Sequence, residues 1–261
     1  MRLKDKVAFI TGAAQGIGAA AATKFAGEGA LVVVADINDA LGRDTVGLIR
    51  SQGGDALFVH CDTTQEDSVE AAVEAAVTHY GALDILYNNV GGSTPNDGPV
   101  TTVAMEEFWR CIKLELLSTF LVSRHGIRAM QRAGRGGSVI NTATYVAVIG
   151  TAGRDCYTAA KGAIISLTKS MAVEYAPDRI RVNAVAPGAV VTQRMTDFYA
   201  KNPTHPVFAE SNRHRRPHVP SHLLGLIETE DIANMALFLA SEESRRITGT
   251  IQLIDSGATA S

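Results

Sequence analysis

The segment Thr11-Gly12-Ala13-Ala14-Gln15-Gly16-Ile17-Gly18 follows the apolar run Val7 to Thr11 and opens into an Ala-rich stretch. A short apolar run, a glycine-rich turn and a longer Ala-rich segment are typical of a strand that passes directly into a helix. The same alternation continues along the chain. The further apolar runs are Leu31 to Asp36, Ala56 to Asp62, Ile85 to Asn89, Ser138 to Ala143, Ile180 to Ala186 and Thr250 to Asp255.

Most of these runs are apolar throughout, which is typical of parallel strands covered on both faces. The pattern predicts an α/β fold, a doubly wound parallel sheet (Rossmann fold) of about seven strands, as a single domain over residues 1–261. Gln193 to His222 departs from the alternation, because it contains four prolines and has no clean periodicity. It predicts a mobile insertion or lid at about 193–225.

The composition argues against several classes of function. The 24 Lys and Arg residues face 27 Asp and Glu residues, a formal net charge of -3, which argues against a nucleic-acid binder. The three cysteines form no C-x-x-C pair and fit a reducing compartment. Charges at the amino terminus leave an apolar stretch too short for a signal peptide or a membrane span. The chain is expected to be cytoplasmic, without a nucleic-acid or membrane partner.

The glycine-rich turn predicts a phosphate site, because free N–H groups at a helix N-terminus can meet the charge of a pyrophosphate. A tight turn without a ligand would look the same in isolation. Asp36, 18 residues past Gly18, ends the second apolar run, where a carboxylate can accept both ribose hydroxyls of an adenosine. Neither Gln15 nor Ile37 supplies a cation for a 2′-phosphate, so NAD is favoured over NADP.

A second constellation is Tyr157-Thr158-Ala159-Ala160-Lys161. Four residues make about one helical turn, so the phenol and the ammonium would share a face, and the cation would lower the tyrosine pKa. Such a tyrosine can donate or accept the proton that accompanies hydride transfer. The alternative is a surface Tyr and Lys pair on an amphipathic helix.

With these residues, the chain closely resembles the short-chain dehydrogenase/reductase family over its whole length. The motifs, in the family order, are residues 11 to 18, Asp62, Asn88-Asn89-Val90-Gly91, Tyr157 with Lys161, Pro187-Gly188 and Ile247-Thr248-Gly249 before Asp255. The resemblance implies a homotetramer in which Tyr157 is the acid/base and Lys161 holds the nicotinamide ribose. The cofactor residues that it implies are Gly12, Gln15, Gly16, Ile17, Gly18, Asp36, Asp62 at the adenine, Asn89 in the wall, Pro187, Gly188, and Val190 and Thr192 at the carboxamide.

Two positions depart from the family pattern. Thr144 lies thirteen residues before Tyr157, where the family has a serine; it keeps a hydroxyl for the substrate oxygen but adds a methyl group. Glu115 takes the place of an asparagine whose main-chain carbonyl, in the family, holds a water that joins the lysine to solvent. One hypothesis is that the Glu115 carboxylate joins this relay and raises the pKa of Lys161. The alternative is that Glu115 points elsewhere.

The substrate region is basic. From 193 to 222 there are five Lys and Arg residues, Arg194 and Arg213 among them, against Asp197 and Glu210, and this excess suggests that an anionic group on the substrate is held there. A solvated lid or a subunit contact would look the same. The spacing of the four histidines in this stretch matches no ligand pattern, so no metal is predicted. Ser93, in the loop after the fourth run, is a further candidate for substrate contact.

These residues predict an NAD-dependent oxidoreductase that interconverts a secondary alcohol and a ketone, with a small-molecule substrate. The Y-x-x-x-K spacing argues against an enoyl reductase, whose relatives space the pair more widely. The alternative is a dinucleotide-binding subunit without turnover, with a redox-sensing or assembly role, suggested by the two changed positions.

Overall fold

The computed structural model describes residues 1–201 and 222–260. Its sheet has seven parallel strands in the order β3-β2-β1-β4-β5-β6-β7. The strands are β1 (Val7–Thr11), β2 (Leu31–Asp36), β3 (Asp55–His60), β4 (Ile85–Asn88), β5 (Gly137–Thr142), β6 (Ile180–Pro187) and β7 (Ile251–Ile254). The chain reverses its direction of winding between β1 and β4, and a crevice forms at such a switch point beyond the carboxyl ends of the strands.

Helices cover both faces of the sheet. They are α1 (Gly16–Gly27), α2 (Asp39–Ser51), α3 (Glu66–Tyr80), α4 (Met105–Cys111), α5 (Ser118–Ala133), α6 (Asp155–Glu174), α7 (Gln193–Lys201) and α8 (Thr229–Ala240). One apolar core packs α1, α2 and α8 against the sheet, and a second packs α3, α5 and α6 against the other face. A π-helical turn, Ile112–Leu117, joins α4 to α5 without a break.

The predicted fold class is confirmed: a single Rossmann-like domain with a seven-stranded parallel sheet. Each strand lies within two residues of its apolar run. The largest difference is at β3, which ends at His60, so that Cys61 and Asp62 begin the following loop. A strand that is buried on both faces can be identified in the sequence, because few polar side chains interrupt its apolar run.

The first part of the predicted insertion is helical. Gln193–Lys201 forms helix α7, which the irregular pattern did not indicate. The rest of the predicted lid, including Arg213 and three of the four histidines, falls within 202–221, outside the described residues. Among the described residues, no helix is both long and apolar enough to cross a bilayer.

Candidate active site

The glycine turn between β1 and α1 depends on close backbone packing. Gly12 and Gly16 have positive φ angles of 61° and 58°, which suit glycine. A Cβ on Gly18 would lie 2.1 Å from the Gly12 carbonyl oxygen, so only glycine fits there. Within the described residues, the start of α1 has neither a capping side-chain hydrogen bond nor an acid in its first turn. Its N–H groups are therefore suited to an anionic ligand.

Two carboxylates lie beside this turn. At the end of β2, Asp36 accepts the N–H of Ala14 at 3.0 Å and the N–H of Asn38 at 2.9 Å, so it is fixed against the glycine turn. Asp62, after β3, accepts the N–H and the hydroxyl of Thr64 at 2.9 and 2.7 Å. Both carboxylates are partly exposed at the carboxyl edge of the sheet.

Asn89 supports the turn itself. Its Nδ2 donates to the carbonyls of Thr11 at 3.1 Å and Gly12 at 3.2 Å. This side chain is therefore engaged with the glycine loop and holds β4 to β1 at the crevice. The family resemblance predicts that Asn89 forms part of the wall beside the cofactor, and in the structure its amide nitrogen is bonded to backbone.

The remaining residues of the predicted cofactor site surround the same crevice. Gln15 is exposed and Ile17 is partly buried at the start of α1. Pro187 ends β6 and Gly188 follows it, and Val190 pairs with Ile227 in an isolated bridge. The side chain of Thr192 faces Gly16, since a Cβ on Gly16 would lie 3.6 Å from the Thr192 methyl carbon.

Tyr157 and Lys161 share one face of α6. The Lys161 Nζ lies 5.9 Å from the centroid of the Tyr157 ring and donates to the Thr142 carbonyl at 2.6 Å. Lys161 is only 2% exposed, whereas Tyr157 is partly buried. The helical spacing therefore brings the pair together at the end of β5, next to the crevice.

Thr144 completes this group of hydroxyls. It follows β5, is buried, and its hydroxyl acts to lower the pKa of Tyr157. Its Oγ1 also lies 3.5 Å from the Pro187 carbonyl, at the limit of a hydrogen bond. A substrate oxygen in front of Tyr157 could therefore be reached by two hydroxyl groups.

Glu115 lies in the middle of the π-helical turn, and its side chain reaches Lys161. Its Oε2 is 2.8 Å from the Lys161 Nζ, and its Oε1 accepts the N–H of Gly92 at 2.6 Å. The glutamate is 0% exposed. Of the two sequence-based readings, the geometry matches contact with Lys161 rather than a side chain that points elsewhere.

The charges around Tyr157 act in opposite directions. Burial raises the pKa of Tyr157, and the Lys161 ammonium lowers this pKa while the Glu115 carboxylate raises it; the net pKa lies above the ordinary value. Sequence reasoning considered only the lysine and expected a lowered pKa, so the net direction is a correction. Burial lowers the pKa of Lys161, but Glu115 and Tyr157 raise it by more, so that this pKa is raised overall.

Two arginines flank the loop after β4. On α7, the guanidinium of Arg194 covers Gly92 and lies 3.3 Å from the Gly91 carbonyl oxygen. Arg154, just before α6, lies 3.5 Å from the Ser93 hydroxyl. Neither arginine pairs with a carboxylate within residues 1–201 and 222–260. Of the candidate substrate residues, Ser93 thus lies in this loop and Arg194 packs against its start, whereas Arg213 lies outside the described residues.

Sequence reasoning missed Arg154 and Asp97. The Asp97 carboxylate accepts the backbone N–H groups of Cys156 and Tyr157 at 3.1 and 2.9 Å, which caps α6 from a distant loop. Arg154 is three residues before Tyr157, and this proximity was a signal that could have been used. Asp97 lies in a stretch of turn-forming residues and gives no such signal.

A glycine turn at an uncapped helix start, at the switch point of a parallel sheet, is the arrangement of a Rossmann-type dinucleotide-binding protein. A family model described as enoyl-(acyl carrier protein) reductase matches residues 12–259. The 7alpha-hydroxysteroid dehydrogenase of Clostridium sardiniense is 36% identical, over 98% of this chain and 94% of its own length. The trans-4-hydroxycyclohexanecarboxylate dehydrogenase of Sinomonas cyclohexanicum is 38% identical, over 99% of this chain and 95% of its own length.

A solved structure agrees in fold. The short-chain type dehydrogenase/reductase from Mycobacterium ulcerans superposes with a TM-score of 0.90 at 27% identity, over 100% of this chain and 92% of that one. The chain belongs to the short-chain dehydrogenase/reductase family. It is an oxidoreductase of this type, and its family and fold imply a nicotinamide dinucleotide cofactor, NAD or NADP.

Proposed function

We propose that the protein is an NAD(H)-dependent oxidoreductase that interconverts a secondary alcohol and a ketone, with Tyr157 as the general acid/base. The observation that carries this proposal is the placement of the Tyr157 ring 5.9 Å from the Lys161 Nζ, at the sheet edge that also bears the glycine turn. A bound nicotinamide cofactor supplies the hydride exchange with the substrate carbon. The residues of the chain handle the proton.

In the reducing direction, the Tyr157 hydroxyl gives its proton to the ketone oxygen, while Thr144 donates a hydrogen bond to the same oxygen. In the oxidising direction, the phenolate takes the proton of the alcohol. The Lys161 ammonium donates to the Thr142 carbonyl and forms an ion pair with Glu115, and a further donor is available for the nicotinamide ribose. Since the pKa of Tyr157 is raised, alcohol oxidation should accelerate as the pH increases above neutral.

Asp36 supports NAD as the cofactor. Its carboxylate lies beside the glycine turn, where it can accept ribose hydroxyls and would repel a 2′-phosphate. The next residues, Ile37 and Asn38, add no positive charge. Asp62, Asn89, Val190 and Thr192 are proposed as further contacts of the same cofactor.

An anionic group on the substrate is supported by Arg194 and Arg154, the two guanidinium groups that border the loop at Gly92 and Ser93. Arginine binds carboxylates through paired donors. The relative from Sinomonas cyclohexanicum is named for a hydroxy acid. We therefore favour a hydroxy acid and its keto acid as the substrate pair, with Arg213 as a further candidate contact.

A homotetramer in the cytoplasm belongs to the same proposal. Phe120 of α5 and Val173 of α6 are 47% and 80% exposed, and an open groove runs between these helices, which suits a subunit interface. The three cysteines are free and buried, as expected in a reducing compartment. A Phe120→Glu variant that stays tetrameric by light scattering would argue against this interface.

A non-catalytic dinucleotide-binding subunit is the second candidate function. It is favoured by the raised pKa of Tyr157 and by the unusual Glu115. The two functions differ in one outcome: both bind NADH, but only the enzyme turns over.

The test is a screen of matched alcohols and hydroxy acids, followed by NADH absorbance, in the wild-type protein and in Tyr157→Phe. An enoyl thioester is included, because the matching family model is described by that activity. We expect oxidation of at least one hydroxy acid, a loss of about 100-fold or more in Tyr157→Phe, and unchanged NADH binding. Arg154→Met and Arg194→Met should lower kcat/KM for hydroxy acids more than for neutral alcohols. NADH binding without turnover of any substrate would favour the second candidate.

A further inference from the structure

Glu115 and Lys161 form a buried ion pair that the proposed chemistry does not by itself require. The two side chains are 0% and 2% exposed, and the carboxylate and ammonium are 2.8 Å apart. A buried charge is stable only when it is paired and hydrogen-bonded. The ion pair is therefore an ordered structural element of the site.

The carboxylate is held on both of its oxygens. Gly92 donates its N–H to Oε1 at 2.6 Å, and Lys161 faces Oε2. A Cβ on Gly91 would lie 2.1 Å from Oε2 and 3.1 Å from the Lys161 Nζ, so the loop has no side chain at the point where the two charges meet. The Glu115 backbone carbonyl accepts the Thr119 hydroxyl at 2.8 Å. The contact with Lys161 is thus made by the side chain of residue 115.

The charged groups that act on Tyr157 come from three elements. Lys161 of α6 and Arg194 of α7 favour the phenolate, whereas Glu115 of the π-helical turn disfavours it. The groups that act on Lys161 are Glu115 and Tyr157, which favour the ammonium, and Arg194, which disfavours it. Because Glu115 contacts Lys161 directly, it offsets much of the positive charge that Lys161 presents to the phenol.

We propose that Glu115 is a positioning residue that anchors Lys161 and sets the pH range in which Tyr157 releases its proton. This inference rests on the proposed acid/base role of Tyr157. During alcohol oxidation, the phenolate takes a proton from the alcohol, and the resulting phenol returns that proton to solvent before the next turnover. Glu115 biases this last step toward the phenol, so that oxidation requires a higher pH than Lys161 alone would set.

The test is the pH profile of kcat/KM for alcohol oxidation in Glu115→Gln. Glutamine keeps the size of the side chain and an oxygen for the Gly92 N–H, but removes the charge. The alkaline-rising limb should move about one pH unit toward acid, since the phenolate loses a negative neighbour. Glu115→Asp keeps the charge, so its limb should stay near that of the wild type even where its rate falls.

Glu107 offers a matched control, because it is another buried carboxylate of the same continuous helix and pairs with Arg110 rather than Lys161. Glu107→Gln should leave the position of the limb unchanged. A uniform loss of rate in Glu115→Gln, with no shift of the limb, would overturn the inference and leave a purely structural role.

A second measurement needs neither turnover nor a variant of Glu115. In ¹⁵N NMR of the wild-type protein, with the signal assigned through Lys161→Arg, the Lys161 ammonium should persist above the pH at which exposed lysines lose their proton. Titration together with the exposed lysines would contradict the inference. Full activity in Tyr157→Phe would instead refute the proposed function, so the two failures are distinguishable.

Discussion

The carboxylate of Asp97 accepts the backbone N–H of Tyr157 at 2.9 Å, although 60 residues separate the two in sequence. The contact is reciprocal, since the Asp155 carboxylate accepts the N–H of Val100 at 2.8 Å. The loop after β4 and the start of α6 therefore hold each other. A carboxylate at a helix N-terminus also satisfies free N–H groups and interacts favourably with the helix dipole.

Asp97→Ala should lower the free energy of unfolding by about 1–2 kcal/mol, because the N–H groups of Cys156 and Tyr157 lose their acceptor. The rate should fall as well, since the backbone of Tyr157 is less firmly placed. Denaturant unfolding and kcat measure the two effects. Asp97→Asn, which keeps an acceptor oxygen, should be milder in both. Equal stability of Asp97→Ala and the wild type would contradict this role.

Glu107 should make stability depend on acid. Hydrogen bonds from Arg110, opposed by burial, lower the pKa of this carboxyl from 4.5 to about 2. The stabilisation is present above pH 4.5 and is lost as the pH falls through 2, up to about 3 kcal/mol in all. In chemical unfolding measured at several pH values, Glu107→Gln should be less stable at pH 7 and should lack this part of the acid dependence. If the free energy of unfolding fell in parallel with pH in the wild type and in Glu107→Gln, this role of Glu107 would be wrong.

Asp36→Ala should relax the preference for NAD. The ratio of kcat/KM with NAD to that with NADP should fall at least about tenfold, which corresponds to 1.4 kcal/mol, because a repulsive charge and a ribose acceptor are both removed. Asp39→Ala is the matched control, since Asp39 is an exposed acid three residues further on, which pairs with His60. An unchanged ratio in Asp36→Ala would show that Asp36 does not face the ribose.

Thr144 should act through its hydroxyl rather than its methyl group. Thr144→Ser should keep most of the activity, whereas Thr144→Ala should lose about tenfold to 100-fold in kcat, because the substrate oxygen loses one donor. Steady-state kinetics with one substrate and a fixed NAD concentration measure the kcat of both variants. If Thr144→Ala were as active as the wild type, the orienting role would be wrong.

The sheet could be predicted from the sequence to within two residues at each strand, because most of the strands are buried and follow largely apolar runs. Short-range spacing was equally informative at the site: the four-residue interval between Tyr157 and Lys161 is one helical turn. These are features in which local sequence determines local geometry.

What could not be predicted depends on contacts between distant segments. The Asp97 cap joins a loop to a helix 60 residues later, and nothing in the loop sequence marks it. The direction of the pKa of Tyr157 depends on burial and on Glu115 as well as on Lys161, and burial is a property of the folded chain. The helix at Gln193–Lys201 was hidden by the irregular, proline-containing sequence that follows it.

Gly91 and Glu115 occupy one small space between them, since a Cβ at position 91 would overlap the carboxylate oxygen at 2.1 Å. The two positions should therefore evolve as a coupled pair. Alanine at position 91 would need a shorter residue 115 and would also strain the backbone, because the φ angle of Gly91 is 150°. Glutamate at position 115 should therefore be found only in homologues that have glycine at position 91.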